Sequence, residues 1–458
     1  MELEPTRENL LKTLSEDILN RNKSVWQFAE FCDIQDDKCS IALDSEWGSG
    51  KTFFVHHVKL LFDSFNPNTQ AVTEEEKANI QSALAKYIGK GKNETLLQSV
   101  VTVYYDAWQC DNDGDPILSL IYEIIKSTDH SYPFEKCPDC LSIASEIVNI
   151  FYGKNITNII KLLRERKLIS ELEEKKEIHS LVEDFLESLL YEQGERLLIF
   201  IDELDRCKPE YAVRLLERIK HYFSNDRITF VFSVNMEELQ HTVKRYYGEG
   251  FGAVKYLDRF FDYRIKLPPA NMSRYYGIIG LNDRIEEYDY VCKSVIEYLG
   301  LSVREAEKFW RMANIAVYKY THRGRNDVLD SETNALRFSL FVVPIIIGLR
   351  MTNLELYNSF INGKYSEPLI SVLNNESIDR DMGYYLLDKT ETLDDKPNGQ
   401  CTTVLLTDKL NDAYKALFVS NEINTEEEII IGKCTFTRQT KDDLMRIASM
   451  LSEFASFE

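Results

Sequence analysis

Four stretches of the chain are apolar almost without interruption, residues 41–43, 100–105, 197–201 and 228–234; a fifth, shorter strand is read over 263–267, YRIKL, which Pro268 and Pro269 stop. Runs this short and continuous predict strands buried on both faces, because a strand with one wet face alternates apolar and polar side chains. Between them the apolar residues change to three- and four-residue spacing, the period of a helix with one buried stripe. Leu10, Leu11, Leu14, Ile18, Leu19, Val25, Phe28 and Phe31 predict helix over 6–31. Phe53, Phe54, Val55, Val58, Leu61 and Phe62 predict another, from Lys51 to the stop at Asn66-Pro67-Asn68. Ile117, Leu118, Leu120, Ile121, Ile124 and Ile125 mark a third. Ala212, Leu216, Ile219 and Phe223 mark a fourth, opened by Pro209 in a first turn that has no use for its missing N–H. Strands alternating with helices predict an α/β fold with a mainly parallel sheet.

Beyond this the pattern changes. Residues 271–390 are mostly helical, with Ala306, Phe309, Trp310, Ala313 and Val317 on one side of a helix over 303–318. Residues 390–400, TETLDDKPNGQ, have the composition of a linker. The tail predicts two strands, 428–431 and 433–437, and a closing helix over 441–454. Two segments, 68–97 and 130–194, are polar, charged and helix-prone, and are expected as insertions, the second as a helical hairpin or an interaction arm. The expected division is an α/β core over 1–270, a helical subdomain over 271–390 and a small α+β tail over 391–458.

Composition narrows the partners. A chain of 458 residues, 44% apolar, is long enough for two or three domains with a sizeable core. Its 54 basic and 75 acidic residues give a net charge of -21, which repels nucleic-acid backbones, and no basic patch offsets this. No stretch approaches the roughly 18 consecutive apolar residues of a membrane span; the longest candidate, 340–349, is interrupted by Pro344. The first residues, MELEPTRENL, lack the apolar core of a signal peptide. The nine cysteines are scattered and odd in number, which fits a reducing compartment, so a cytoplasmic location is expected.

Candidate chemistry concentrates where strands end. After 41–43 comes Ser45-Glu46-Trp47-Gly48-Ser49-Gly50-Lys51-Thr52, close to the pattern G-x-x-x-x-G-K-[ST] with serine at the first glycine. Strand, small-residue loop and helix start is the arrangement a polyphosphate needs, since inward backbone N–H groups and a helix N-terminus both favour negative charge. Lys51 is placed to reach the β- and γ-phosphates and the Thr52 hydroxyl to ligate Mg²⁺. The apolar run 197–201 ends in Asp202, Glu203, Asp205 and Arg206. There Asp202 suits a Mg²⁺ shell and Glu203 a general base for water. Ser233 and Asn235, ending the next strand, are candidates to sense the γ-phosphate or the water, the alternative being an asparagine that only caps the strand. Two metal patterns are weaker. Cys137-Pro138-Asp139-Cys140 has ligand-like spacing but only His130 nearby, and Asp111, Asp113 and Asp115 are followed by Pro116 and Tyr122 where a calcium loop needs glycine and glutamate.

Together these segments resemble the KAP family of P-loop NTPases over roughly residues 15–365. EDILNRNKSVWQFAEF resembles the family's lead-in helix, SEWGSGKT its G-x-W-G-S-G-K-T loop including Trp47, and YYDAWQCDNDGDPILSLI its N-A-W and D-P-L segments. IDELDRC resembles the signature I-D-D-L-D-R-C; FVFSVNMEEL and YLDRFFDYRIKLPP match the following strand and the L-P-P exit; LSVREAEKFWRMANI resembles the S-x-R-E-x-E-K-F helix of a lid. Ser45, Glu203 and Asn235 depart from the family pattern. The resemblance implies a three-layer α/β/α P-loop fold of the additional-strand, catalytic-glutamate class, in a soluble member. It also implies a site in which Trp47, Gly48, Ser49, Gly50, Lys51 and Thr52 hold ATP, Thr52 and Asp202 hold Mg²⁺, and Glu203, with Asp205 as a second acid, activates water. Arg304 in the lid helix would stabilise the transition state, with Arg206 and Arg259 as rivals. ATP is expected over GTP because no N-K-x-D motif follows the core strands.

The function expected is an ATP-hydrolysing switch that couples nucleotide state to a protein partner or homo-oligomer. For bacterial members the resemblance implies phage exclusion or the organisation of signalling complexes. The alternative is a nucleotide-gated scaffold with little turnover. A DNA motor is disfavoured by the acidic balance.

Overall fold

The computed structural model describes residues 4–35, 37–87, 97–113, 116–131, 194–223, 225–281, 286–322, 333–393, 401–419 and 428–454, with Leu186 and Leu190. The chain forms two compact units, Glu2–Asn271 and Met272–Glu458.

In the first unit the helix expected over 6–31 is in fact two, α1 (Arg7–Ser15) and α2 (Asn22–Asp33). Asp17 and Asn20, at φ 49° and 53°, break it by entering the left-handed region although the apolar spacing runs on. Asp17 Oδ1 then accepts from the Asn22 N–H at 3.0 Å at the start of α2. There follow β1 (Cys39–Asp44), α3 (Lys51–Phe65), α4 (Glu74–Leu84), β2 (Val100–Asp106), α5 (Pro116–Ser131), β3 (Arg196–Asp202), α6 (Pro209–Tyr222), β4 (Ile228–Val234), α7 (Met236–Tyr247), α8 (Ala253–Leu257) and β5 (Tyr263–Lys266).

The five strands are parallel, in the order β2-β3-β4-β1-β5. Alternate side chains feed two cores, which is why the strand sequences are continuously apolar. Ile41, Leu43, Leu198, Phe200 and Val231 pack with α1 to α4 on one face, and Ala42, Ile199, Ile201, Phe230 and Phe232 pack with α5 to α8 on the other. This is the three-layer α/β/α fold, with β4 inserted between the loop-bearing β1 and the acid-bearing β3. Within 68–97, α4 is started by a reciprocal Thr73–Glu76 capping box and buries Ile80 and Leu84 in the first of these cores.

The second unit contains α9 (Ser273–Ile278), α10 (Glu286–Leu299), α11 (Val303–His322), α12 (Asn334–Thr352), α13 (Leu354–Ile361), α14 (Glu367–Leu373), α15 (Asp379–Leu386), β6 (Glu391–Thr392), β7 (Thr402–Thr403), α16 (Leu406–Tyr414), β8 (Ile429–Ile431), β9 (Cys434–Phe436) and α17 (Arg438–Phe454). Its centre is α12, which carries an unbroken buried run from Phe338 to Leu349 despite the internal Pro344. By length and composition α12 is the one helix among the described residues that would suffice to cross a membrane, and 72% of its most apolar window is buried inside the protein. Residues from both sides of the expected linker share one core: Phe338 and Val342 of α12 cluster with Tyr414 of α16, Phe436 of β9 and Leu444 of α17. The two strands expected in the tail are present as β8 and β9, paired antiparallel. Cys137-Pro138-Asp139-Cys140, Asp115 and nearly all of 130–194 lie outside the described residues.

Candidate functional site

The loop between β1 and α3 turns on two glycines. Gly48 and Gly50 sit at φ 77° and 87°, a left-handed conformation that side chains resist, whereas Ser45 needs no such angle, so a serine there is compatible with the turn. A Cβ on Gly50 would also lie 3.2 Å from Arg21 Nη1. Arg21, buried between α1 and α2, braces the loop: Nη1 donates to Ser49 O at 2.7 Å and Nη2 to Pro268 O at 2.6 Å. Burial pulls its guanidinium down to about 10. No side chain caps α3, so its first turn keeps its N–H groups for whatever enters the loop. The Ser49 hydroxyl is buried with no hydrogen-bond partner.

Lys51 opens α3 and is 8% exposed. Its ammonium donates to Ser45 O at 2.5 Å and Glu46 O at 2.9 Å, within its own loop. Burial lowers its pKa, while Asp205, Asp202 and Glu203 pull the other way. Thr52 Oγ1 donates to Asp202 Oδ2 at 2.7 Å, joining loop and acid strand across the intervening β4. Asp202 is 1% exposed and fully engaged: Oδ2 also accepts from the Tyr104 hydroxyl at 3.1 Å, and Oδ1 from the Glu203 N–H at 3.0 Å. A hydroxyl and a carboxylate held this close form a hard-oxygen pair that suits Mg²⁺. The uncapped α3 start, the open glycine cradle and the orphaned Ser49 hydroxyl suit a polyphosphate.

Glu203 stands next to this pair in a left-handed conformation (φ 61°), rare for a side-chain-bearing residue and here the start of a short 3₁₀ turn, Leu204–Arg206. Burial and then Asp202 push its carboxyl up to about 7, against the pull of Arg206, with which it forms an ion pair. Asp205 is buried and raised by that burial; its Oδ2 accepts from Trp47 Nε1 at 2.6 Å, which with Lys51 opposes the shift.

Other expected residues fall differently. Asn235 Oδ1 accepts from the Glu237 and Glu238 N–H groups at 3.1 and 3.4 Å, the cap of α7, so helix capping is what the side chain does. Ser233, by contrast, is fully buried with its hydroxyl unpartnered. Asp111 accepts from the Lys208 N–H at 3.2 Å and Asp113 from Ser119 at 2.5 Å, so the two described carboxylates of the aspartate-rich loop are used internally. Among the described residues no cluster of three or more His, Cys, Asp or Glu is arranged to hold a metal. Arg259 is exposed beyond α8, and Arg304 is exposed near the start of α11 in the second unit. Tyr104 is the residue the sequence did not flag. Strand alternation turns it toward α3, where His56 lies over its ring at 4.2 Å between centroids, and its hydroxyl reaches Asp202.

No curated protein matches the chain. Residues 10–290, more than half of its 458, match the model of the KAP family P-loop domain. With a phosphate-type loop, a parallel sheet carrying an added strand, and an acid pair beside the loop, the chain belongs to the KAP family of P-loop NTPases.

Proposed function

We propose that the protein is a Mg²⁺-dependent ATPase whose nucleotide state is passed to a protein partner. The observation that carries this reading is the Thr52–Asp202 hydrogen bond, which sets a hydroxyl–carboxylate pair beside both Lys51 and Glu203. Backbone N–H groups of Gly48, Ser49 and Gly50 and the Lys51 ammonium bind the phosphates, with Trp47 closing the loop onto Asp205. Thr52 and Asp202 would hold Mg²⁺, which when bound would neutralise charge on the β- and γ-phosphates. Glu203 takes a proton from the attacking water as its oxygen bonds to the γ-phosphorus. The bond from that phosphorus to the bridging oxygen breaks with its electron pair leaving on ADP. Tyr104 keeps the Asp202 carboxylate oriented. From the family resemblance Arg304 is the arginine proposed for the transition state; Asp205 is proposed as the acid that fixes Trp47.

A phosphate-release assay on Glu203→Gln tests the reading. Turnover by the wild type, with retained ATP binding and lost turnover in the variant, supports it. A wild type that binds ATP without turnover sinks it in favour of the nucleotide-gated scaffold. Coupling to a partner, proposed from the family resemblance, is tested by nucleotide-dependent assembly in size-exclusion chromatography, and a setting in antiviral defence, proposed on the same ground, by phage plating on cells with and without the protein.

A further inference from the structure

Two tryptophans and an arginine meet beside the acids of β3. The Arg206 guanidinium carbon lies 5.7 Å from the centre of the Trp47 ring and 5.6 Å from that of Trp108. Trp47 belongs to the phosphate loop, Trp108 follows β2, and Arg206 ends the 3₁₀ turn after β3, so three segments remote in sequence converge on one cation. The rings are 45% and 51% exposed, so core burial does not account for them. An aromatic face attracts a cation, and a planar guanidinium can stack while its Nε still addresses a carboxylate, which an ammonium cannot. That carboxylate is Glu203, paired with Arg206 Nε. Trp47 is itself fixed, because its indole N–H donates to Asp205 Oδ2 at 2.6 Å.

We propose that Arg206 is a positioning residue for hydrolysis: held within cation–π range of Trp47 and Trp108, it carries the Glu203 carboxylate and ties it to the phosphate loop. The inference rests on the hydrolytic reading above. Arg206 makes and breaks no covalent bond in the step; the water proton goes to Glu203 and the leaving electron pair to ADP. Serving instead as the transition-state arginine would require it to leave its carboxylate and both rings.

The test measures steady-state ATP hydrolysis and tryptophan emission of the full chain for wild type, Arg206→Ala, Arg206→Lys, Trp108→Ala and Trp108→Phe. Arg206→Ala is expected to lower kcat about tenfold or more, with KM for ATP within about twofold of wild type. Arg206→Lys keeps the charge but not the flat face, and recovers little of the loss. Trp108→Ala lowers kcat about threefold, and Trp108→Phe, which keeps a ring, restores it. Without nucleotide, emission changes in Arg206→Ala and in Glu203→Gln, because either loosens the cluster. With wild type turning over, an unchanged kcat in Arg206→Ala, a raised KM with kcat intact, or an unchanged emission in both variants would each overturn the positioning role alone. Wild-type protein that binds ATP without turnover overturns the hydrolytic reading, and this role with it.

Discussion

The two units bury different things. In the first, charge is inside: Arg21, Lys51, Asp63, Asp202 and Asp205 are all buried, as is His57. In the second, the buried polar residues among those described are Asp289, Ser339 and Thr440, and the core is a continuous apolar cluster around α12. Buried charge is a costly way to hold a fold together, since desolvation offsets most of the attraction it gains. The part of it that follows β1 and β3, Lys51, Asp202 and Asp205, therefore marks a site under functional constraint, while the second unit's core is built for cohesion. The expectation is a separation: damage to the first unit's charges costs chemistry, and damage to the second unit's core costs stability.

The largest effect tests the first half of that separation. Lys51→Ala is expected to cut ATP hydrolysis on the order of a thousandfold. It should leave the thermal unfolding midpoint unchanged or higher, because a buried cation is removed; a midpoint that falls with activity would erase the distinction. Next is Phe338→Ala. Phe338 is fully buried and meets Phe436 edge-on at 5.9 Å, so truncation should cost about 3–5 kcal/mol in urea unfolding. ATP binding by the folded fraction should be retained, and its loss would show that the second unit's core shapes the site.

A pH prediction follows from His57, buried on α3 against α1, where its ring contacts Thr13 Oγ1 at 3.0 Å and Leu10 O at 3.1 Å. Burial holds its pKa down at about 4, against an ordinary 6.5. The unfolded chain therefore binds the proton first. The stability that neutral His57 contributes is present above pH 6.5 and lost as pH falls toward 4, by up to about 3 kcal/mol. Urea unfolding at pH 7 and pH 5 measures the loss, and His57→Gln should reduce it. His56, also near 4 through burial, adds in the same direction. The smallest effect is at Asn235: Asn235→Ala should cost about 1 kcal/mol of stability as a lost helix cap. Its hydrolysis rate should stay close to wild type; a hundredfold fall would return Asn235 to the chemistry.

What the sequence disclosed follows the same division. Strands β1 to β4 were legible because burial on both faces leaves uninterrupted apolar runs, and the loop and the Asp202-Glu203 pair were legible because they follow those runs directly. The break between α1 and α2 was not, because hydrophobic spacing carries no record of the left-handed angles at Asp17 and Asn20. Tyr104 was hidden for a related reason: an aromatic on a buried strand looks like core, and only the register of β2 beside β3 brings its hydroxyl to Asp202. Trp47, Trp108 and Arg206 each stood in a recognisable motif, yet their meeting depends on where three strands end. The pairing of β6 with β7 was concealed by a stretch with the composition of a linker.

The place of β4 has a consequence for how the site tolerates change. Because β4 lies between β1 and β3, the Thr52–Asp202 contact spans two strand-to-strand steps, about 9.6 Å of sheet. That separation is ruled by backbone ladders, which every residue type except proline can supply. The sheet thus acts as a gauge block: side chains along these strands can drift without changing the distance between the loop and its acid, whereas adding or losing a strand at that point would separate or crush them.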